Sequence, residues 1–482
     1  MGQTVLHSRY DPASEAEKYI ASLDLKPFRY YILIEPGLGH LAAALGKQFP
    51  SSKIISLHCS PFFCKENSAG GLSWSAGSAE SLEDFLEEFI TDADAAEVKL
   101  IEWKPSINAY GKACLDLASR TVECIRRITA NRKTVRNFGR RWLRNALHNL
   151  EALRNQAVIL PGSAPVLVCA AGPSLKESME DIQKWKQSTS PPLLIAVSSA
   201  AAALLYKGII PDITIAADGG SWARFHLTES FRLCANGSFS EEKRMILAAS
   251  LTAALPSQTV HWPVLFLCDG SLWQELLLRT ADIPFLTFPQ RGTVSASALD
   301  LAFYASTGNV YIAGLDLEHR DLLTHARPYA FETITELSAE RRHPRYSQIF
   351  EREEIIRRSG SNEIYAAWFK THLDSFPRRL HTIFHSGLGI APEKPSLNGG
   401  ELPRFTISKT KPNPDRKGLI EALLNALDNP LTTERISKEL GELLLNDTQP
   451  ANNLSMMNSG IVKEALLELR NSFGKNHGQT DF

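Results

Sequence analysis

Five short groups in the middle of the chain carry residue types that hold phosphate or move protons. They are Gly172-Pro173-Ser174, Ser198-Ser199, Asp218-Gly219, Gly292-Thr293-Val294-Ser295 and Gly314-Leu315-Asp316, and His325 follows them. Glycine and hydroxyl residues at a helix start leave unpaired N–H groups converging at the positive end of the helix dipole, which is the chemistry of a phosphate cradle. The same residues also serve as plain helix caps, so any one turn supports a structural reading as well. A carboxylate at a strand end, as at Asp218 or Asp316, can hold a metal, bond a ribose or cap a turn. His325 stands beside Thr324 and Arg327, and imidazole is suited to taking a proton from a hydroxyl near neutral pH.

The elements that must position these groups are legible as pattern. Val166 to Ala171, Leu193 to Val197, Ile213 to Ala217 and Asn309 to Ala313 are short, unalternating apolar runs, and Met245 to Ala249, Val264 to Cys268 and Phe285 to Phe288 continue the series. Such runs predict parallel strands covered by helices on both faces. Helices are expected over Leu175 to Gln187, Ala200 to Lys207 with Gly208 as the stop, and Ala296 to Ala305. In a sheet of this kind the ligand lies beyond the carboxyl ends of the strands, where all five groups gather. The chain has no GxxxxGK[ST] loop, and no DxD pair accompanies Asp218 or Asp316, so neither the common ATPase loop nor a tightly held metal is expected. A magnesium ion through Asp218 stays open.

The fold class expected is α/β: a central Rossmann-like parallel-sheet domain with helices on both faces, a smaller N-terminal α/β domain and a mainly helical C-terminal domain. The boundaries read as 1–105 for the N-terminal domain, 106–160 for a basic helical linker, 161–335 for the central domain and 336–482 for the last. In the first domain Tyr30 to Ile34 reads as a strand, Glu35-Pro-Gly-Leu-Gly39 as a turn, His40 to Gln48 as a helix and Lys53 to Leu57 as the next strand. That Gly-rich turn suits either a nucleotide or a relic that keeps only the tight turn, because no acidic residue ends the second strand. From Tyr110 to Asn155 one or two long helices are expected, with arginines and lysines far outnumbering acids. That excess is either a solvated face or a patch for an acidic protein or anionic ligand. A Pro-, Ser- and Gly-rich stretch runs from Gly387 to about Arg416, and helices over Gly418 to Asp428, Leu431 to Leu445 and Ile461 to Phe473 close the chain, ahead of a frayed tail from His477.

Composition sets outer bounds. A chain of 482 residues with 44% hydrophobic and 22% charged residues, and a net charge of -1, fits a globular protein with no overall pull toward nucleic acid or membrane. No signal core or membrane span is read, so a cytoplasmic location is expected. Seven cysteines without a CxxC pair read as buried thiols.

AAGPSL, PD…AADGG, RGTVSASALDLA, YIAGLDL and THAR together resemble the central domain of the motility accessory factors, bacterial enzymes that glycosylate flagellin with nonulosonic (sialic-like) acids. DPASEAEKYI, the strand with EPGLGH and TVRNFGRRWLRNALHNL are similar to the family's N-terminal domain and linking helix. The central domain is similar in turn to bacterial CMP-sialic acid sialyltransferases and to a 6-hydroxymethylpterin pyrophosphokinase family. The resemblance implies that Gly172, Pro173, Ser174, Ser198, Ser199, Asp218, Gly219, Gly292, Thr293, Ser295, Gly314 and Asp316 surround CMP, with His325 as base. Arg291 or Arg327 would meet the sugar carboxylate. Where the sialyltransferases commonly carry asparagines, this chain has Ser198-Ser199 and Asp218.

The leading expectation is therefore a glycosyltransferase that moves a nonulosonic acid from its CMP donor to Ser or Thr of flagellin in support of motility. Its partners would be flagellin and a nucleotide sugar, with no nucleic acid and no membrane span. A pyrophosphokinase using ATP and Mg²⁺ is the alternative, and a non-catalytic flagellin-binding factor is a second.

Overall fold

The structure, a computed structural model of the chain, describes residues 5–63, 72–90, 97–236, 245–289, 291–318, 323, 325–359, 361–373, 376–377, 379–383, 389–393, 395–396, 399–411, 414–445 and 459–473. The described residues fall into two compact units, 5–137 with Leu445, and 138–444 with 459–473, the closing helix.

In the first unit the order is α1 (Pro12–Ser22), β1 (Tyr30–Ile34), α2 (His40–Gln48), β2 (Lys53–His58), β3 (Leu72–Ser75), α3 (Leu82–Phe89), β4 (Val98–Glu102), α4 (Lys104–Tyr110) and the start of α5 (Lys112–Ala152). Its four strands form one parallel sheet in the order β3-β2-β1-β4. β1 is buried along its whole length, as a strand covered on both faces must be. Gly111, at φ 53, breaks α4 from α5. From there α5 continues as one 41-residue helix, because no proline or second glycine pair interrupts it.

The second unit adds β5 (Asn155–Leu160), β6 (Val166–Cys169), α6 (Leu175–Lys186), β7 (Leu193–Val197), α7 (Ser198–Tyr206), β8 (Ile213–Ala216), α8 (Arg224–Asn236), β9 (Ile246–Ser250), β10 (Pro263–Cys268), α9 (Leu272–Thr280), β11 (Phe285–Thr287), α10 (Val294–Ala305) and β12 (Val310–Ala313). Beyond it come α11 (Ala330–Leu337), α12 (Arg345–Ser359), α13 (Ser361–His372), β13 (Leu380–Thr382), β14 (Arg404–Lys409), α14 (Arg416–Asp428), α15 (Thr433–Leu444) and α16 (Ser459–Ser472). The ten-stranded sheet runs β13-β12-β6-β7-β8-β9-β10-β5-β14, with β11 also beside β10. All pairs are parallel except β14 with β5.

The expected strands and helices of the central sheet all form, with ends shifted by a few residues. Leu194 and Ile195 are fully buried, as are Val166 and Val168, and each such side chain contributes about 1.5–3 kcal/mol on leaving water. The late segment reads as helical or Pro-rich in sequence, yet it supplies both edge strands of this sheet. β14 pairs with β5 from Arg404↔Leu160 to Lys409↔Asn155. Its side chains are largely exposed, so it carries no strong apolar signature. The second half of α5 is used in packing: Arg140 donates to the Leu444 carbonyl at 2.9 Å, and Asn149 donates to the carbonyls of Leu251 and Ala253. Among the described residues no helix is long and apolar enough to cross a membrane.

Candidate functional site

Chain direction places the site. From β6 the strands β7, β8, β9 and β10 are laid down on one side, and then α10 leads back to β12 on the other. The strand order reverses at β6, which opens a crevice at the carboxyl ends of β6 and β12. Register aligns the turns there, since Cys169 pairs with Ala313 on one side and Ala196 on the other. Gly172–Ser174, Ser198–Ser199 and Gly314–Asp316 therefore leave the sheet side by side.

The first turn is stitched to the last. Gly172 N–H donates to the Gly314 carbonyl at 2.7 Å. A Cβ on Gly172 would fall 2.6 Å from that oxygen and 2.7 Å from Asp316 Oδ2, so only glycine lets the two turns approach this closely. Ser174 N–H donates to Asp316 Oδ2 at 2.8 Å, and its hydroxyl donates to Oδ1. Ser174 is 1% and Asp316 2% exposed. The N-terminal end of α6, expected to face a phosphate, is thus held by the chain's own carboxylate, the charge that a helix start favours. Asp316 is committed inward, and Pro173 shapes the turn between them.

α7 begins directly at Ser198 with no side-chain cap, so its first N–H groups lack a capping side chain. Ser198 is 8% exposed, Ser199 is half-buried, and neither hydroxyl is hydrogen-bonded to another described residue. Of the three helix starts at these turns, α7 is the one whose N–H groups meet neither Asp316 nor a capping threonine among the described residues. α10 also starts at this edge, but Thr293 Oγ1 accepts from Ala296 N–H at 3.1 Å and caps it. Gly292 is exposed, with open space where a Cβ would be, and Ser295 lies in the first turn of α10.

Asp218 is exposed. Its Oδ1 accepts from Gly220 N–H at 2.7 Å, a side-chain turn of the kind aspartate favours. Gly219 faces away from the crevice: a Cβ there would fall 2.4 Å from Trp142 Cδ1, and its carbonyl accepts from the Asn145 amide. Tyr365 on α13 lies near Asp218, its phenol raised by burial and then by that carboxylate. No group of three or more metal-ligating side chains converges among the described residues. A magnesium ion here would rest on Asp218 and on the phosphates of a bound nucleotide, the usual partners of that ion.

Arg291 is engaged by the chain's own side chains. It forms a two-pronged pair with Asp300 at 2.6 and 2.9 Å and lies over the rings of Trp368 and Phe376. Arg327 is half-exposed and paired with Glu332 at 2.6 Å.

His325 is anchored by its neighbour, because Ala326 N–H donates to the Ala171 carbonyl at 2.8 Å, just past β6. Its ring stacks on Tyr329 at 4.6 Å and 3°. His226 on α8 lies against Tyr329 and Phe331 at 5.8 and 4.8 Å. Arg352 on α12 donates to the Tyr329 hydroxyl and covers the Phe331 ring at 4.7 Å. Nδ1 of both histidines is buried and has no hydrogen-bond partner among the described residues. Burial, then His226 and Arg352, push His325 down to about 3. Burial and then Arg352 push His226 down to about 4, and burial pushes Tyr329 up to about 12. Both imidazoles are therefore neutral at pH 7. His325, Arg327, Tyr329, Glu332, Arg352 and Glu353 line a cleft at this place. Thr324 lies outside the described residues.

His226, Tyr329, Arg352 and Tyr365 escape a reading by pattern. They come from four places in the chain, and none sits in a motif. Only the closeness of Tyr329 and Phe331 to His325 in sequence hints at an aromatic wall.

In the first unit the Gly-rich turn also meets a side chain of its own. His7 Nε2 accepts from Leu38 N–H at 3.3 Å, and a Cβ on Gly37 would fall 2.5 Å from that nitrogen. An imidazole occupies the close approach that a ligand would use.

Residues 140–321 match the family model described as 6-hydroxymethylpterin diphosphokinase MptE-like. An uncharacterized protein of Treponema pallidum (strain Nichols) is 29% identical over 254 residues, a stretch covering 52% of this chain and 53% of that protein. The match thus spans about half the length of this curated relative. The solved structure of a Maf glycosyltransferase from Magnetospirillum magneticum AMB-1 covers 95% of this chain and 78% of its own, at 14% identity and a TM-score of 0.49, too distant a likeness to bear on function. The central segment of the chain is thus similar to the MptE-like family.

Proposed function

We propose that the protein is a glycosyltransferase that moves a nonulosonic (sialic-like) acid from a CMP-activated donor to Ser or Thr hydroxyls of flagellin, in support of flagellum assembly and motility. The observation that carries this reading is the neutral His325, tied through the Ala326–Ala171 hydrogen bond to the residues just past β6, whose neighbour β7 leads into the uncapped start of α7. In this reading His325 takes the acceptor hydroxyl proton while the acceptor oxygen bonds to the anomeric carbon and the bond to the CMP phosphate breaks. The leaving phosphate rests on the α7 N–H groups with Ser198 and Ser199. Arg327, released from Glu332, meets the sugar carboxylate in place of Arg291, which Asp300 holds. A pKa near 3 makes free His325 a weak base. The phosphate and carboxylate of the donor raise it on binding, so the base is armed only when the donor is in place.

Incubation with flagellin and a CMP-nonulosonate tests the reading. A flagellin mass increase by one nonulosonate residue is expected, and an unchanged mass would overturn it. The match over residues 140–321 favours a second reading, a pyrophosphokinase acting on a hydroxymethylpterin with ATP and Mg²⁺ through Asp218. Calorimetry separates the two: CMP binding without Mg²⁺ supports the transferase, and ATP binding that requires Mg²⁺ supports the kinase.

A further inference from the structure

In the first unit four reactive side chains meet where β2 ends and α5 begins. Glu35 and His58 are both fully buried, with His58 Nδ1 3.1 Å from Glu35 Oε1. Cys59 N–H donates to Glu35 Oε2 at 2.9 Å, and the Cys59 thiol donates to the same oxygen at 3.1 Å. Cys59 Sγ also lies 3.0 Å from Cys114 Sγ. Cys59 is partly exposed, whereas Cys114 is fully buried in the core of the unit. Both thiols are free, and the sulfurs need close by only about 1 Å to reach bonding distance.

Nothing in the proposed transfer reaction uses this cluster. Ordinary buried cysteines sit among apolar side chains. These two contact one another, and one of them already donates its proton to a carboxylate. We propose that Cys59 and Cys114 are a reversible oxidation site, closed to a disulfide by a peroxide, with Glu35 as the proton acceptor. Cys59, the partner that solvent reaches, gives its proton to Glu35 and attacks the peroxide. Its S–O bond forms, the O–O bond breaks, and water leaves with the proton returned from Glu35. Cys114 Sγ then attacks Cys59 Sγ, the S–S bond forms, the S–O bond breaks, and the Cys114 proton leaves in a second water. Two thiols are oxidised by two electrons in all, and one peroxide is reduced to two waters.

The two steps differ in speed. The hydrogen bond with Cys114, then burial, then Glu35 hold the Cys59 thiol well above its ordinary range, while the bond from Cys59 lowers Cys114. The first step is slow and the second fast, so the sulfenic acid does not accumulate. The product ties the end of β2 to the first turn of α5 and removes one donor from Glu35, the residue that opens the Gly-rich turn.

The test uses the full-length reduced protein with hydrogen peroxide. The expected result is loss of two thiols together, a peptide containing Cys59 joined to one containing Cys114, and full recovery with dithiothreitol. Cys114→Ser is expected to stop at a Cys59 sulfenic acid that dimedone traps, and Glu35→Gln to slow the oxidation about tenfold, with circular dichroism confirming that each variant folds. A cross-link from Cys59 to any other cysteine would overturn the proposal. So would oxidation of Cys59 to sulfinic acid without a cross-link, or both thiols surviving in the folded wild type. The wild-type peptide map decides by itself if a variant does not fold.

Discussion

Ser174 gives both its backbone N–H and its hydroxyl to the carboxylate of Asp316, a residue 142 positions further along the chain. The pair joins the turn after β6 to the turn after β12 and closes the floor of the crevice. It also distinguishes two helix starts: α6 is held by Asp316, and α7 has no capping side chain among the described residues.

Asp316→Asn replaces a charged acceptor by an amide whose nitrogen cannot accept from Ser174. Buried hydrogen bonds to a charged group contribute about 1.5–3 kcal/mol each. A stability loss of about 2–3 kcal/mol is expected in urea unfolding. An unchanged midpoint would mean that the pair contributes nothing.

Gly172→Ala places a methyl group against the Gly314 carbonyl and the Asp316 carboxylate. The backbone on one side cannot yield cheaply, so a loss of about 3 kcal/mol or more is expected. The Gly292→Ala variant, where a Cβ meets open space, is the control and should unfold within about 0.5 kcal/mol of wild type.

Ser199→Ala removes a hydroxyl at the uncapped start of α7 without disturbing a hydrogen bond to a described residue. Calorimetric titration with CMP is expected to show affinity about tenfold weaker, about 1.4 kcal/mol, with stability unchanged. Full CMP affinity in the variant would move the phosphate away from α7.

His325→Ala is expected to lower transfer to flagellin about a hundredfold or more, in line with the loss of a general base, while CMP binding persists. Undiminished transfer would remove His325 from the reaction.

His226 and His325 are neutral in the fold and ionise at about 6.5 when exposed. Below pH 6.5 the unfolded chain binds more protons than the folded one, so stability falls with falling pH. The loss begins near pH 6.5 and is complete near pH 4 for His226 and pH 3 for His325. At pH 5 it amounts to about 2 kcal/mol for each histidine. His226→Gln should therefore flatten the decline in unfolding midpoint between pH 7 and pH 5, and an equally steep decline in the variant would refute the buried neutral state.

What the sequence determined by itself is the set of local elements and the edge at which they deliver their polar residues. The runs at Val166, Leu193, Ile213 and Asn309 are apolar without alternation, and a strand covered on both faces leaves no other pattern. The turn residues that follow them are glycines and hydroxyls because helix starts need those types. Only the tertiary structure decided which of these groups face each other. The bond of Ser174 to Asp316, the stack of His325 on Tyr329 beside His226, and the cover that Trp368 and Phe376 give Arg291 depend on sheet register and on where the late helices settle. β14 pairs antiparallel with β5, far earlier in the chain, and bears no local mark of its partner. Residue patterns report what each segment must bury, whereas the partner of a polar side chain is set by distances between segments, and those exist only once the sheet has closed.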